Sequence, residues 1–102
     1  MAHEVGHGLV REMTPEERTQ WAMARPTRED IRHLEDSWVA SGYANDKDPY
    51  RANFPSYRAA YGVDEDVAES YRVWSGVGGE NYALSDWRRE MIERLVKRRF
   101  GG

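Results

Sequence analysis

Apolar residues recur at three- and four-residue intervals along most of the chain, and two-residue alternation is nearly absent. That period predicts helices rather than strands. Residues 2–13 are compatible with a helix, although Gly6 and Gly8 each weaken it by about 1 kcal/mol relative to alanine. Something beyond local propensity must hold this helix, and a bound metal is one candidate. Thr14-Pro15-Glu16-Glu17 is a strong start signal: a capping threonine, a proline suited to the first position and a glutamate to close a capping box. The helix it opens carries Trp21 and Met23 and stops before Pro26. Thr27, with Asp30 three residues on, opens another, in which Ile31, Leu34, Trp38 and Val39 share one face and Gly42 ends the run. Residues 43–55 are loop-like, with Asn45-Asp46-Lys47-Asp48-Pro49 as the turn core, and residues 57–61 suggest a short helical turn. Asp64 is the expected cap of a helix running to about Trp74, with Val67, Tyr71 and Trp74 facing inward. Gly76-Val77-Gly78-Gly79 breaks the pattern. Ser85 then caps a final helix whose buried side holds Trp87, Met91, Leu95 and Val96, while Lys97, Arg98 and Arg99 complement the dipole of its last turn. The expected fold is all-α, a small bundle of about five helices in a single domain spanning residues 1–102.

Composition narrows the chemistry. With 39% hydrophobic and 32% charged residues the balance is that of a folded globular chain. The four tryptophans and six tyrosines supply apolar area that offsets the small size, and Trp21, Trp38, Trp74 and Trp87 are expected in the core. The chain has no cysteine, which excludes disulfides and thiolate metal sites, so a zinc site must use His, Asp or Glu. No apolar run approaches the ~20 residues of a membrane span and no leader pattern opens the chain, so neither a membrane partner nor secretion is expected; the cytoplasm is the default location. The net charge of −3 argues against a general nucleic-acid partner. The basic positions from Arg88-Arg89 to Lys97-Arg98-Arg99 are expected to form a solvated face.

The motif that carries chemistry is His3-Glu4-Val5-Gly6-His7, an HExxH pattern. On a helix the first and fifth positions share a face, so both imidazoles can reach one ion while Glu4 flanks it. A catalytic zinc takes three protein ligands and keeps an open position for water, whose pKa it lowers towards ~7. A neighbouring carboxylate can then accept the proton of that water. The segment 61–71 contains the candidates for a third ligand. Glu65 and Glu69 lie one turn apart on one helix face, so one can bind the metal while the other supports a ligand histidine.

HEVGHGL, followed some fifty residues later by a Tyr-Gly turn and EDVAESY, resembles the gluzincin metallopeptidases, in particular their lethal-factor-like branch. In that group an HExxH helix is followed by a helix bearing Glu-x-x-Ala-Glu, which falls here on Glu65, Asp66, Val67, Ala68 and Glu69. The resemblance implies a zinc-dependent peptidase acting on a peptide or protein substrate. It assigns His3, His7 and Glu65 to Zn2+, Glu4 to the general base, and Glu69 to the support of a ligand. The family's oxyanion tyrosine falls on Tyr61, by the glycine that follows it, or on Tyr57, by distance; both stand. Family members carry a strand layer upstream of HExxH, whereas here the motif begins at residue 3. The bundle is therefore expected to match the helical part of a zincin catalytic domain without that layer. It would be the carboxy-terminal part of a longer enzyme, a chain whose start is assigned too late, or a reduced descendant.

The competing expectation is a small non-catalytic helical interaction module of phage or toxin origin, in which HExxH is vestigial or accidental. A nucleic-acid adaptor using the basic final helix is a weaker third. His33 is expected to be an ordinary surface residue, and Asp46 and Asp48 do not form a calcium loop, because Pro49 and the missing glycine spoil the pattern. Substrate preference and oligomeric state are not encoded in any of these motifs.

Overall fold

The computed structural model describes residues 2–79, 81–82 and 84–101, with side chains from residue 5 onward. Among the described residues the architecture is all-helical. Its elements are α1 (Ala2–Glu12), α2 (Pro15–Ala24), α3 (Arg28–Ala40), α4 (Pro49–Asn53), α5 (Val63–Trp74) and α6 (Asp86–Phe100). Two 3-10 turns, Asn45–Lys47 and Arg58–Tyr61, flank the five-residue α4. The five longer helices match the expected bundle. No helix is long and apolar enough to cross a membrane among the described residues.

The start signals at Thr14 and Thr27 work as their chemistry requires, whereas Ser85 takes the cap position of α6 without a side-chain cap bond and accepts from Arg88 Nη1 at 3.3 Å instead. Thr14 accepts from the Glu17 amide while the Glu17 carboxylate accepts from the Thr14 amide, and Thr27 and Asp30 repeat the arrangement on α3. Glu17 does a second job. Buried beside α6, it receives both arms of the Arg98 guanidinium, at 2.7 and 2.9 Å. That bond, partly opposed by burial, holds its carboxyl down at about 2.

The core forms where α1, α2, α5 and α6 meet. Leu9, Val10, Met13, Trp21, Val67, Met91, Ile92 and Leu95 make one buried cluster. Trp21 packs edge-on against Trp87, ring centres 5.1 Å apart. Helix α5 is the central element, and it buries charge as well as carbon. Asp66, fully buried, receives Nε and Nη2 of Arg88 at 2.8 Å each, with Arg25 Nε at 3.6 Å. Arg88 also donates to the Asn53 carbonyl at 2.8 Å. Asp66 and Arg88 together thereby tie α4, α6 and the end of α2 to α5.

Four other expectations change, and the coverage of the α3 face is a further finding. Arg88 is not on a solvated face: at 2% exposure it is among the most buried side chains, because Asp66 needs its charge compensated. Residues 43–55 are not all loop, since Asp48 caps α4 through the Tyr50 and Arg51 amides and Pro49 takes its first position. Helix α5 starts one residue before Asp64, with Gly62 as its cap; Asp64 instead accepts a bond from Arg18. The apolar face of α3 is only partly covered: no α3 residue is buried, and Leu34 and Val39 are exposed. Its main neighbour, α4, is too short to cover the whole stripe. Of the four tryptophans, only Trp21 is fully buried; Trp74 and Trp87 pack against the core partly covered, and Trp38 lies apart on Tyr43 and Tyr50. His33 is on the surface as expected, near Glu29.

Candidate metal centre

Of the two glycines of α1, Gly6 has a packing role. A Cβ on Gly6 would lie 2.5 Å from Ala68 Cα and 2.7 Å from the Ala68 carbonyl oxygen, closer than any real side chain can approach. Glycine at this position lets the backbones of α1 and α5 touch. The close approach supplies packing against α5 that the weak helix propensity of the segment lacks.

One residue after Gly6, the contact brings donors together. His7 Nε2 on α1 lies 3.4 Å from Glu65 Oε1 on α5, both side chains partly exposed. That separation is longer than a good hydrogen bond. It equals, however, the edge expected between two ligand atoms on a tetrahedral zinc, about 3.3–3.4 Å for bonds of ~2.0–2.1 Å. The donor types, an imidazole nitrogen and a carboxylate oxygen, are also those zinc accepts in a chain without cysteine. The pair fits such an ion.

Around the pair, the structure adds residues that the motif did not reveal. Arg58, in the 3-10 turn before α5, donates from Nε to Glu65 Oε2 at 3.0 Å, so the carboxylate has the imidazole on one oxygen and a guanidinium on the other. Glu69, one turn on, is buried. Its Oε1 accepts from Ser56 Oγ at 2.8 Å and its Oε2 from Arg72 Nε at 3.1 Å. Arg72 extends the network by donating from Nη1 to the carbonyls of Val77 and Gly78 and to Asn81 Oδ1. The glycine-rich break is thus fastened to the same network as Glu69. An arginine seven residues before Glu65 carries no sequence signal of this role; only the fold of the turn brings it there.

His3 and Glu4 fall within α1, but their side chains lie outside the described residues. Among the described residues no group of three His, Asp or Glu side chains converges on one point. What the structure brings together from the expected set is His7 and Glu65, with Glu69 on the same helix as Glu65.

Tyr57 and Tyr61 stand on a neighbouring feature. A cleft of about 460 Å³ runs between the α2–α3 connection, α3, α4 and the second 3-10 turn, and both tyrosines line it. Neither His7 nor Glu65 does, so the cleft lies beside the donor pair and not over it. The Tyr57 and Tyr61 rings meet edge-on at 5.8 Å, and Tyr57 also packs against Tyr50 at 4.7 Å. The Tyr50 hydroxyl donates to Glu35 Oε1 across the cleft. Burial, followed by the Glu35 carboxylate, pushes the Tyr50 phenol well above its ordinary range, so it remains a donor.

Neither a family model, nor a curated protein, nor a solved structure matches this chain.

Proposed function

We propose that this chain is a zinc-dependent metallopeptidase of the HExxH type, with His3, His7 and Glu65 as ligands of one Zn2+. The observation that carries the reading is the approach of His7 Nε2 to Glu65 Oε1, 3.4 Å apart on two helices that touch through Gly6 and Ala68. A helix pair joined at a glycine holds its side chains more firmly than a loop, as a metal site needs.

When bound, the ion supplies an acidified water and polarises the scissile carbonyl. The chain's own groups do the rest. His7 would hold the ion through Nε2 and Glu65 through Oε1. Arg58 on Glu65 Oε2 fixes the rotation of that carboxylate and leaves Oε1 towards the histidine. Glu69, held by Ser56 and Arg72, keeps a buried negative charge one turn along α5 from Glu65. Glu4 takes the proton of the attacking water on its carboxylate and passes it to the leaving amine. The hydroxyl of Tyr57 or Tyr61 donates to the oxyanion, a bond worth about 3–4 kcal/mol in such reactions.

Zinc content is the direct test. After metal-supplemented expression and dialysis the native chain is expected to retain about one equivalent of zinc, and His7→Ala or Glu65→Ala to lose it. Chelation should also lower the melting temperature of the native chain and leave that of His7→Ala unchanged, since an ion that binds only the folded state stabilises it. A native chain that holds no zinc under these conditions ends the proposal.

A second reading, a non-catalytic helical interaction module, is favoured by one observation: neither His7 nor Glu65 lines the open cleft. It predicts a melting temperature indifferent to chelator.

A further inference from the structure

The cleft beside the donor pair has a lining of its own. Tyr50, Tyr57 and Tyr61 form a continuous aromatic row, with Ile31 and Glu35 contributed by α3. The planes of Tyr50 and Tyr57 are inclined at 55° and those of Tyr57 and Tyr61 at 76°. Rings set at such angles build a corner and leave no parallel slot for a planar base or ring. A compact cation suits a corner of this kind, because the electron-rich face of a phenol ring attracts positive charge.

The charges around the cleft point the same way. Glu35 Oε1 is engaged by the Tyr50 hydroxyl, and Oε2 has no hydrogen-bond partner among the described residues. Two arginines also line the cleft. Arg25 is turned to the interior: its side chain is 9% exposed, it donates to the Ala59 carbonyl at 3.0 Å, and Asp66 lies 3.6 Å away. Its charge is compensated there. Arg28 stands exposed at the rim, where solvent screens it. The uncompensated charge facing the aromatic row is therefore the Glu35 carboxylate.

We infer that this cleft binds an alkylammonium group, such as the side chain of a lysine or methylated lysine in a peptide, with its head between the tyrosine row and Glu35 and its methylene chain along Ile31. The volume of about 460 Å³ accommodates that side chain with adjoining backbone. The cleft shares Tyr57 and Tyr61 with the hydrolase reading but needs no metal, so chelation separates the two.

The test is a titration followed by NMR, in the presence of chelator so that zinc plays no part. The probes are Nα-acetyl-lysine methylamide, its Nε-trimethyl analogue and the neutral Nα-acetyl-norleucine methylamide. At least one of the cations is expected to move the ring resonances of Tyr57 and Tyr61 and to bind about tenfold tighter than the norleucine probe. Which cation is preferred identifies the source as plain or methylated lysine. Glu35→Gln keeps an acceptor for Tyr50 but removes the charge, and should weaken the cation about five- to tenfold while leaving norleucine unchanged. Arg28→Gln, a change at the exposed rim, should tighten it. Equal binding of norleucine and cations, absence of ring shifts with either cation, or a cation affinity indifferent to Arg28→Gln and Glu35→Gln alike overturns the assignment.

Discussion

The two halves of this molecule are built on different terms. Around α5, helices α1, α2 and α6 are locked by long-range contacts: a glycine against a backbone, a buried carboxylate shared by two arginines, a continuous apolar cluster. Around α3 and α4 the contacts are local and lighter. Helix α3 is started by its own capping box and buries none of its residues, resting on α4 through Trp38, Glu35 and Tyr50. The first half holds two donors in a set relation; the second leaves an open cleft between its elements. Precision and accessibility are thus divided between neighbouring parts of one small chain, and the second 3-10 turn joins them, with Arg58 reaching Glu65 and Tyr57 and Tyr61 lining the cleft.

If the halves differ in this way, substitutions should separate them by magnitude. The largest effect is expected from Asp66→Ala, which leaves Arg88 buried without its counter-charge and should cost about 3–5 kcal/mol. Urea denaturation measures it, and a loss below about 1 kcal/mol, the range of an exposed ion pair, would mean that the carboxylate does not tie the helices together. Gly6→Ala comes next. The added Cβ has only Ala68 backbone to meet, so α1 must move away from α5, at about 1–3 kcal/mol. In a helix that did not touch α5 the same change would stabilise by up to about 1 kcal/mol, so the sign alone decides. The smallest effect belongs to the other half: Leu34→Ala on α3 should fall within about 0.5 kcal/mol, although the equivalent truncation of a core leucine costs about 2–5. A large loss at Leu34 would show that the α3 face is covered in solution.

Much of this could be read from residue order, and the pattern of success is physical. The capping boxes at Thr14 and Thr27 are contained within four residues each, so local sequence determines them. The inward positions Val67, Met91 and Leu95 follow from helical period. Helix α4 was legible in principle, since Asp48-Pro49 is a start signal, but its single turn of apolar spacing is too short to outweigh the surrounding turn residues. The stripe on α3 shows the opposite failure: periodicity marks a face that could be buried, and the neighbour that covers only part of it is invisible to periodicity. In the candidate site, spacing offered His7 with either Glu65 or Glu69, and only the resemblance singled out Glu65, which lies 3.4 Å from His7; Arg58, Ser56 and Arg72 carry no motif.

By itself, then, the order of residues determined an all-helical chain, where most helices begin and break, and which side chains have the chemistry to hold a metal. Those properties depend on hydrogen bonds and rotations within a few residues. Tertiary structure alone decided that Arg88 is buried, that Gly6 must lack a side chain, and that Glu65 is shared between His7 and Arg58. Each of these depends on an atom brought from a distant part of the chain, and the cost of burying charge or of overlapping backbones exists only once the helices are assembled.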